Sequence, residues 1–186
     1  MKDLFSLEGR TALVTGGSVG IGAMIAEGFV DFGAKVYIVA RREDVLTKKQ
    51  EELAAIGACE YIVADVSTVD GIKRLAADYA EREKSLDILV NNAGTSDGRK
   101  EIEEVTEETW DTVMDLNLKS IFFMTQAFLP SLRVGASPET PSNVINIASI
   151  DGCGKLNTAY NYAYGASKAG VIQLYLLLGD SLAWEG

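Results

Sequence analysis

The segment TGGSVGIG, Thr15–Gly22, decides the fold of this chain because of what lies on either side of it. An apolar, β-branched run (Thr11–Thr15) leads into it, and a helical pattern opens within it at Gly20. Residues without a Cβ let a backbone bend back sharply and bring main-chain N–H groups close to a diphosphate. The position predicts a nucleotide-binding turn; the alternative is a glycine-rich connection that binds nothing.

The rest of the chain alternates strands and helices in the same way. Five short runs are rich in β-branched residues and bounded by Gly, Asp or Ser: Thr11–Thr15, Lys35–Val39, Glu60–Ala64, Asp87–Asn91 and Asn143–Ala148. Six helical patterns accompany them: Gly20–Phe32, Glu43–Ile56, Val69–Glu83, Glu107–Asp115, Leu118–Leu132 and Ala159–Trp184. The runs are too apolar for a sheet that has one solvent-exposed face. We therefore predict a parallel sheet with helices on both sides.

One proline-containing segment, Arg133–Ser142, interrupts this alternation without any periodicity of its own. A linker between two domains and a surface loop before the fifth strand both fit such a composition. The loop is the more economical interpretation, and it leaves residues 1–186 as a single domain.

The residues after the glycines and after the second strand indicate which nucleotide would bind. Ala23 and Met24 follow Gly22, where a P-loop needs Lys and Ser or Thr, so phosphoryl transfer is disfavoured. The second strand is followed by Arg41 and Arg42 rather than by the carboxylate that meets a free ribose 2′-hydroxyl. Guanidinium groups there suit a 2′-phosphate, which favours NADP(H) over NAD(H). The alternative is two solvated arginines at the start of a helix.

A tyrosine and a lysine one helical turn apart, Tyr164 and Lys168, form the most informative pair near the end of the chain. Residues i and i+4 share a helix face, so the ammonium and the phenol would point the same way. A phenol is a weak base at neutral pH, and an ammonium within about 4–6 Å favours its phenolate form. Tyr162 lacks such a partner, as does Tyr160. The alternative is a core tyrosine beside a solvated lysine.

Composition excludes several classes of function. The 186 residues are 47% hydrophobic and 24% charged, carry a net charge of −10 and include no histidine. An acidic surface repels nucleic acid, and without histidine neither a His-activated nucleophile nor a His-containing zinc site can form. Cys59 and Cys153 match no metal or redox spacing, so we expect two reduced thiols and no metal. With no apolar run of membrane-spanning length and no signal peptide, we expect a soluble, cytoplasmic protein.

Six motifs in order along nearly the whole chain resemble the short-chain dehydrogenase/reductase family. They are TGGSVGIG at 15–22, AD at 64–65, NNAG at 91–94, Asn117 in DLNLKS, Ser149 in INIAS and YGASK at 164–168. Within the family, the opening LFSLEGRTALVTGGS, the NNAGTS segment, the loop before INIAS and the ending around YGASK resemble a bacterial β-ketoacyl reductase. The resemblance implies a Rossmann domain with strand order 3-2-1-4-5.

The resemblance also implies roles for residues at matching positions. The implied catalytic tetrad is Asn117, Ser149, Tyr164 and Lys168. The implied cofactor-binding residues are Gly16, Ser18, Gly20 and Ile21 at the diphosphate and ribose, Arg41 at the 2′-phosphate, Asp65 and Val66 at the adenine, Asn92 at the adenosine ribose, and Tyr164 with Lys168 at the nicotinamide end. Two departures stand out: Val19 occupies a position that is often basic, and more residues separate Ser149 from Tyr164 than is usual in the family.

The expected activity is NADPH-dependent reduction of a ketone, in particular a 3-oxoacyl thioester, to a secondary alcohol. Tyr164 would be the general acid, Ser149 would hold the carbonyl oxygen, and Asn117 would order a water for proton relay. The alternative is a non-catalytic NADP-binding sensor or scaffold. Family members continue past Gly186 with further strands, so we expect a C-terminally truncated reductase whose full-length form is a homo-oligomer.

Overall fold

The computed structural model describes residues 2–154 and 161–183, and within them five parallel strands form one sheet in the order β3-β2-β1-β4-β5. The strands are β1 (Thr11–Thr15), β2 (Lys35–Ala40), β3 (Cys59–Val63), β4 (Ile88–Asn91) and β5 (Asn143–Asn146). The helices are α1 (Gly20–Asp31), α2 (Glu43–Ala54), α3 (Val69–Arg82), α4 (Glu107–Met114), α5 (Ser120–Val134) and α6 (Tyr162–Leu182). The predicted fold class and strand order are confirmed.

Strands β1, β2 and β4 are covered on both faces, which explains their continuous apolar character. β5, predicted to be covered in the same way, is only partly covered, and its Asn143 and Ile145 are exposed. In β1, Ala12 and Val14 pack with α1 and α2 on one face, whereas Leu13 packs with α3 and α5 on the other. All three side chains are fully buried. On the second face, the ring of Tyr79 meets Phe128 edge-on at 5.4 Å. Successive strand residues alternate between faces, so a strand buried on both must be apolar throughout.

The connection between α4 and α5 differs from the prediction. Instead of two α-helices that meet near Leu118, a π-helical turn spans Asp115–Lys119, and the Ser120 N–H donates to the Asp115 carbonyl. The turn surrounds Asn117, whose side chain is fully buried. A π turn shifts the helix by one residue and is a common feature of functional sites.

The bounds of β5 and α6 differ in part from the predicted ones. β5 ends at Asn146, two residues earlier than predicted, and the Ile147 N–H still donates to the Asn91 carbonyl at 3.0 Å. α6 runs from Tyr162. Its predicted ends at Ala159 and Trp184, and the rival phenol of Tyr160, lie outside the described residues.

Candidate active site

The glycine loop joins β1 to α1 at the carboxyl edge of the sheet. Gly20 has a left-handed φ of +58°, which L-residues rarely adopt. A Cβ on Gly22 would lie 2.3 Å from the Gly16 carbonyl oxygen, so the close approach of α1 to the loop requires glycine there. No side chain caps the start of α1 at Val19. Its first N–H groups are therefore available to an anion.

Two polar side chains hold the NNAG segment against this loop. Thr15 Oγ1 accepts hydrogen bonds from the N–H groups of Asn92 and Ala93, each at 3.0 Å, and donates to the Val90 carbonyl at 3.2 Å. Asn92 Nδ2 donates to the Thr15 carbonyl at 2.9 Å. The amide of Asn92 thus braces the loop, while its contact with a ribose stays a prediction. Thr15, not among the predicted site residues, fixes β1 to the segment after β4.

A cleft of about 460 Å³ opens beside the loop. Its lining is Gly16, Ser18, Val19, Val39, Ala40, Arg41, Arg42, Ala64, Asp65, Val66, Ala93, Gly94 and Leu116. Five of the predicted cofactor-binding residues are therefore gathered here: Gly16, Ser18, Arg41, Asp65 and Val66. The predicted Ile21 is 62% exposed and is not among the lining residues.

Charges at the outer end of this cleft come from Arg41, Arg42 and Asp65. Burial alone would raise the pKa of Asp65, but hydrogen bonds from the Ser67 hydroxyl (2.7 Å) and N–H (2.9 Å), together with nearby Arg41, lower it. Asp65 is therefore ionised, and its carboxylate is already bonded within its own loop. The guanidinium groups of Arg41 and Arg42 are exposed, and a guanidinium group suits a phosphate.

α6 brings the Tyr164–Lys168 pair to the end of β5. Lys168 is 5% exposed, and its Nζ lies 5.7 Å from the centre of the Tyr164 ring. The ammonium donates to the Ile147 carbonyl at 2.6 Å. Burial lowers the pKa of Lys168. The helical spacing places the two groups on one face, as predicted, and a strand-end carbonyl orients the ammonium.

Asn117 uses its whole side-chain amide inside the protein. Its Oδ1 accepts from the Thr95 N–H at 2.8 Å, and its Nδ2 donates to the Thr95 carbonyl (2.8 Å) and to Ser167 Oγ (3.2 Å). Ser167 in turn donates to the Tyr164 carbonyl at 2.7 Å. The π turn, the loop after NNAG and the helix that carries Tyr164 are therefore linked through one amide.

Ser149 begins a short 3-10 turn (Ile150–Cys153) that lies against α6. Its Oγ accepts from the Asp151 N–H at 3.2 Å. A Cβ on Gly152 would lie 2.6 Å from the Lys168 carbonyl carbon and oxygen, so the turn can rest on α6 only with glycine there. This packing brings the turn of Ser149 beside Lys168, although no described contact joins Ser149 to Tyr164.

Sequence reasoning missed the residues that position the site. Ser167 lies within YGASK, three residues after Tyr164. This spacing on a helix was the signal that could have placed it on the same face as the tyrosine. Gly152 carried no comparable signal, because its partner is a distant backbone atom.

Other kinds of site find no support within residues 2–154 and 161–183. No group of three or more Cys, Asp or Glu side chains there could hold a metal ion. Among these residues, no helix is both long and apolar enough to cross a membrane. The two cysteines are unpaired, and burial raises the pKa of the Cys59 thiol to about 12.

Comparison with known proteins identifies close relatives. The family model described as short chain dehydrogenase matches residues 10–186. The rhamnolipid-biosynthesis 3-oxoacyl-[acyl-carrier-protein] reductase of Pseudomonas aeruginosa is 46% identical over 185 residues, which cover 100% of this chain and 72% of that protein. The NADP-dependent (R)-specific alcohol dehydrogenase of Lentilactobacillus kefiri is 34% identical over 89% of this chain and 63% of its own length. The narrower similarity to β-ketoacyl reductases is confirmed.

Solved structures of short-chain oxidoreductases superpose well on this chain. The Pseudomonas aeruginosa RhlG/NADP active-site complex superposes with a TM-score of 0.91 at 45% identity, covering 100% of this chain and 71% of that one. A metagenomic short-chain oxidoreductase in complex with NADP superposes with a TM-score of 0.85 at 33% identity, covering 96% and 79%.

Proposed function

Because the chain belongs to the short-chain dehydrogenase family, we propose that it is an NADPH-dependent reductase that converts a 3-oxoacyl thioester into the corresponding 3-hydroxyacyl thioester. One observation carries this proposal: Tyr164 and Lys168 share a face of α6, and the ammonium is fixed at the end of β5. The relative with 46% identity is named as a 3-oxoacyl reductase, which supports the substrate class.

The glycine-loop cleft fits the adenosine and diphosphate parts of NADP. The close contact between Gly22 and Gly16 holds the glycine loop against the start of α1. The uncapped N-terminus of α1 offers its N–H groups to the diphosphate. Arg41 and Arg42 would hold the 2′-phosphate, and Asp65 with Val66 would border the adenine. When bound, the cofactor supplies the hydride.

Tyr164 is proposed to donate its phenolic proton to the carbonyl oxygen during reduction, and to remove a proton from the alcohol in reverse. The positive charge of Lys168 stabilises the phenolate that is left behind, because the two groups lie on one side of the helix. The low exposure of Lys168 strengthens this effect, since little water screens the charge.

Ser149 is proposed to hold the same carbonyl oxygen. Its Oγ accepts from the Asp151 N–H through a lone pair, and a hydroxyl that accepts in this way keeps its own proton for donation to the substrate. Such a donor stabilises the negative charge that develops on the oxygen. Asn117 is proposed to assist by position, because its amide fixes both the loop at Thr95 and the helix at Ser167.

The test replaces Tyr164 by Phe and follows NADPH oxidation with a panel of 3-oxoacyl thioesters and simple ketones. Phe keeps the ring and removes the acidic proton, so turnover is expected to fall by roughly 10²–10⁴-fold while NADPH affinity, measured by titration, is retained.

Tyr162→Phe is the matched control, because Tyr162 is an exposed phenol on the same helix with no lysine one turn later. Its turnover should equal that of the wild type. Full turnover in Tyr164→Phe would refute the catalytic assignment. NADPH binding without turnover on any of the ketones would favour a non-catalytic binding protein instead.

A further inference from the structure

A buried carboxylate without a hydrogen-bond partner among the described residues lies in the loop that follows the NNAG segment. Asp97 is 9% exposed, and within the described part of the chain neither of its carboxylate oxygens has a hydrogen-bond partner. Its two neighbours, Ser96 and Gly98, are exposed. The side chain of Asp97 is therefore turned inward from a loop that otherwise faces water.

An unpaired buried carboxylate destabilises a folded chain. Both oxygens of Asp97 are buried and, among the residues that the structure describes, receive no hydrogen bond that would compensate for the lost hydration. An apolar side chain of similar volume would avoid this cost. A group that costs stability in this way is expected to serve a ligand that supplies the missing donor.

The contacts around Asp97 place it beside the catalytic helix. On one side, Thr95 is held by Asn117 through two hydrogen bonds of 2.8 Å. On the other, Ser96 Oγ accepts from Asn161 Nδ2 at 3.0 Å, and Asn161 immediately precedes α6, three residues before Tyr164. The same loop begins at Ala93 and Gly94, which line the glycine-loop cleft.

We propose that Asp97 is a specificity-determining residue that accepts a hydrogen bond from an amide N–H in the thiol arm of the substrate. The inference rests on the proposed function. The 3-oxoacyl group offers only carbonyl oxygens, which a carboxylate cannot bind, so the donor must come from the amide-bearing thiol to which the acyl group is attached. Asp97 would thus distinguish a carrier-linked thioester from a plain ester of the same 3-oxo acid.

The test compares two probes that share the 3-oxobutanoyl group. The N-acetylcysteamine thioester of 3-oxobutanoic acid has an amide N–H, whereas the ethyl ester of the same acid has none. Each is titrated by calorimetry into the protein saturated with NADP⁺, where a ketone binds without turnover. In Asp97→Leu, the Kd of the thioester is expected to rise by about 10–100-fold, the range for a hydrogen bond to a charged group. The Kd of the ethyl ester should be unchanged.

Two further variants isolate the hydrogen bond. Asp97→Asn keeps one acceptor oxygen and should restore part of the preference for the thioester. Glu103→Leu removes the same charge from an exposed position six residues later in the chain and should leave both Kd values unchanged. The melting temperature of Asp97→Leu should match or exceed that of the wild type, because no internal bond is lost.

Three results would overturn the inference. They are equal losses for both probes, no loss for either, and a clear fall in the melting temperature of Asp97→Leu, which would show a structural role. Failure of the proposed function is distinguishable: the wild-type protein would then bind neither probe and would not oxidise NADPH with either.

Discussion

At the scale of single residues, Arg41 should decide which cofactor binds. Its exposed guanidinium borders the glycine-loop cleft, and no carboxylate ends β2 to accept a free 2′-hydroxyl. Arg41→Ala is therefore expected to weaken NADPH binding by roughly ten- to a hundredfold, the range for a hydrogen bond to a charged group, and to leave NADH binding nearly unchanged. Calorimetric titration of both cofactors measures this. Lys48→Ala, which removes an equal charge from an exposed position in α2, should change neither affinity, and equal losses for both cofactors would contradict the assignment.

Local geometry could be predicted from the sequence, whereas features that depend on packing could not. Tyr164 and Lys168 are one helical turn apart, so their shared face followed from the spacing alone. Asp97 gave no such signal, because the burial of a loop residue depends on packing between distant segments; its neighbour Thr95 is bonded to Asn117, 22 residues away. A carboxylate in a loop is normally solvated, and only the folded structure reveals that this one is not.

At the scale of elements, the strands were predictable and the link between α4 and α5 was not. β1 begins and ends at the predicted residues, and burial on both faces accounts for the apolar Ala12, Leu13 and Val14 between its two threonines. The π turn at Asp115–Lys119 is set by tertiary contacts of Asn117 rather than by local propensity. Helical periodicity continues through such a turn, so the sequence showed only two adjoining helices.

An ion-pair cluster joins the start of β2 to the end of α3. Glu83 accepts from Lys35 Nζ at 2.7 Å and from the Tyr37 hydroxyl at 2.8 Å. Burial alone would raise the pKa of Glu83, but these two bonds lower it below its ordinary value. Burial also raises the pKa of Tyr37, to about 12, so its hydroxyl remains a donor.

The lowered pKa of Glu83 determines how the stability contributed by this cluster depends on pH. A lowered carboxyl pKa stabilises the fold above the unfolded value of 4.5, and the contribution is lost as the pH falls through the folded value. Because Lys35 is 38% exposed, water screens the pair, and Glu83→Gln should cost at most about 1 kcal/mol at pH 7, or about 2–4 °C in melting temperature. The difference from the wild type should shrink below pH 4.5. Glu81→Gln, an exposed neighbour, should show no effect at either pH, and a constant difference for Glu83→Gln across this range would refute the assignment.

At the scale of the whole molecule, the glycine-loop cleft draws its lining from both halves of the sheet. Val39 and Ala40 come from β2, Ala64 follows β3, and Ala93 follows β4. β1 lies between β2 and β4 and carries the glycine loop. A ligand in the cleft therefore contacts segments attached to β1, β2, β3 and β4, which are four of the five strands in the described residues. Cofactor binding should therefore stabilise the domain as a unit.

This predicts a single thermal transition that moves upward with NADPH. At a free concentration of about 100 times Kd, a ligand that binds only the folded state adds about 2.7 kcal/mol, which for a chain of this size corresponds to about 5–10 °C. Differential scanning calorimetry at increasing NADPH measures the shift. Arg41→Ala should give a smaller shift at the same NADPH concentration, because its Kd is higher, while its shift with NADH should match that of the wild type. Two separate transitions, of which only one responds to NADPH, would show instead that the halves of the sheet unfold independently and that the ligand engages only one of them.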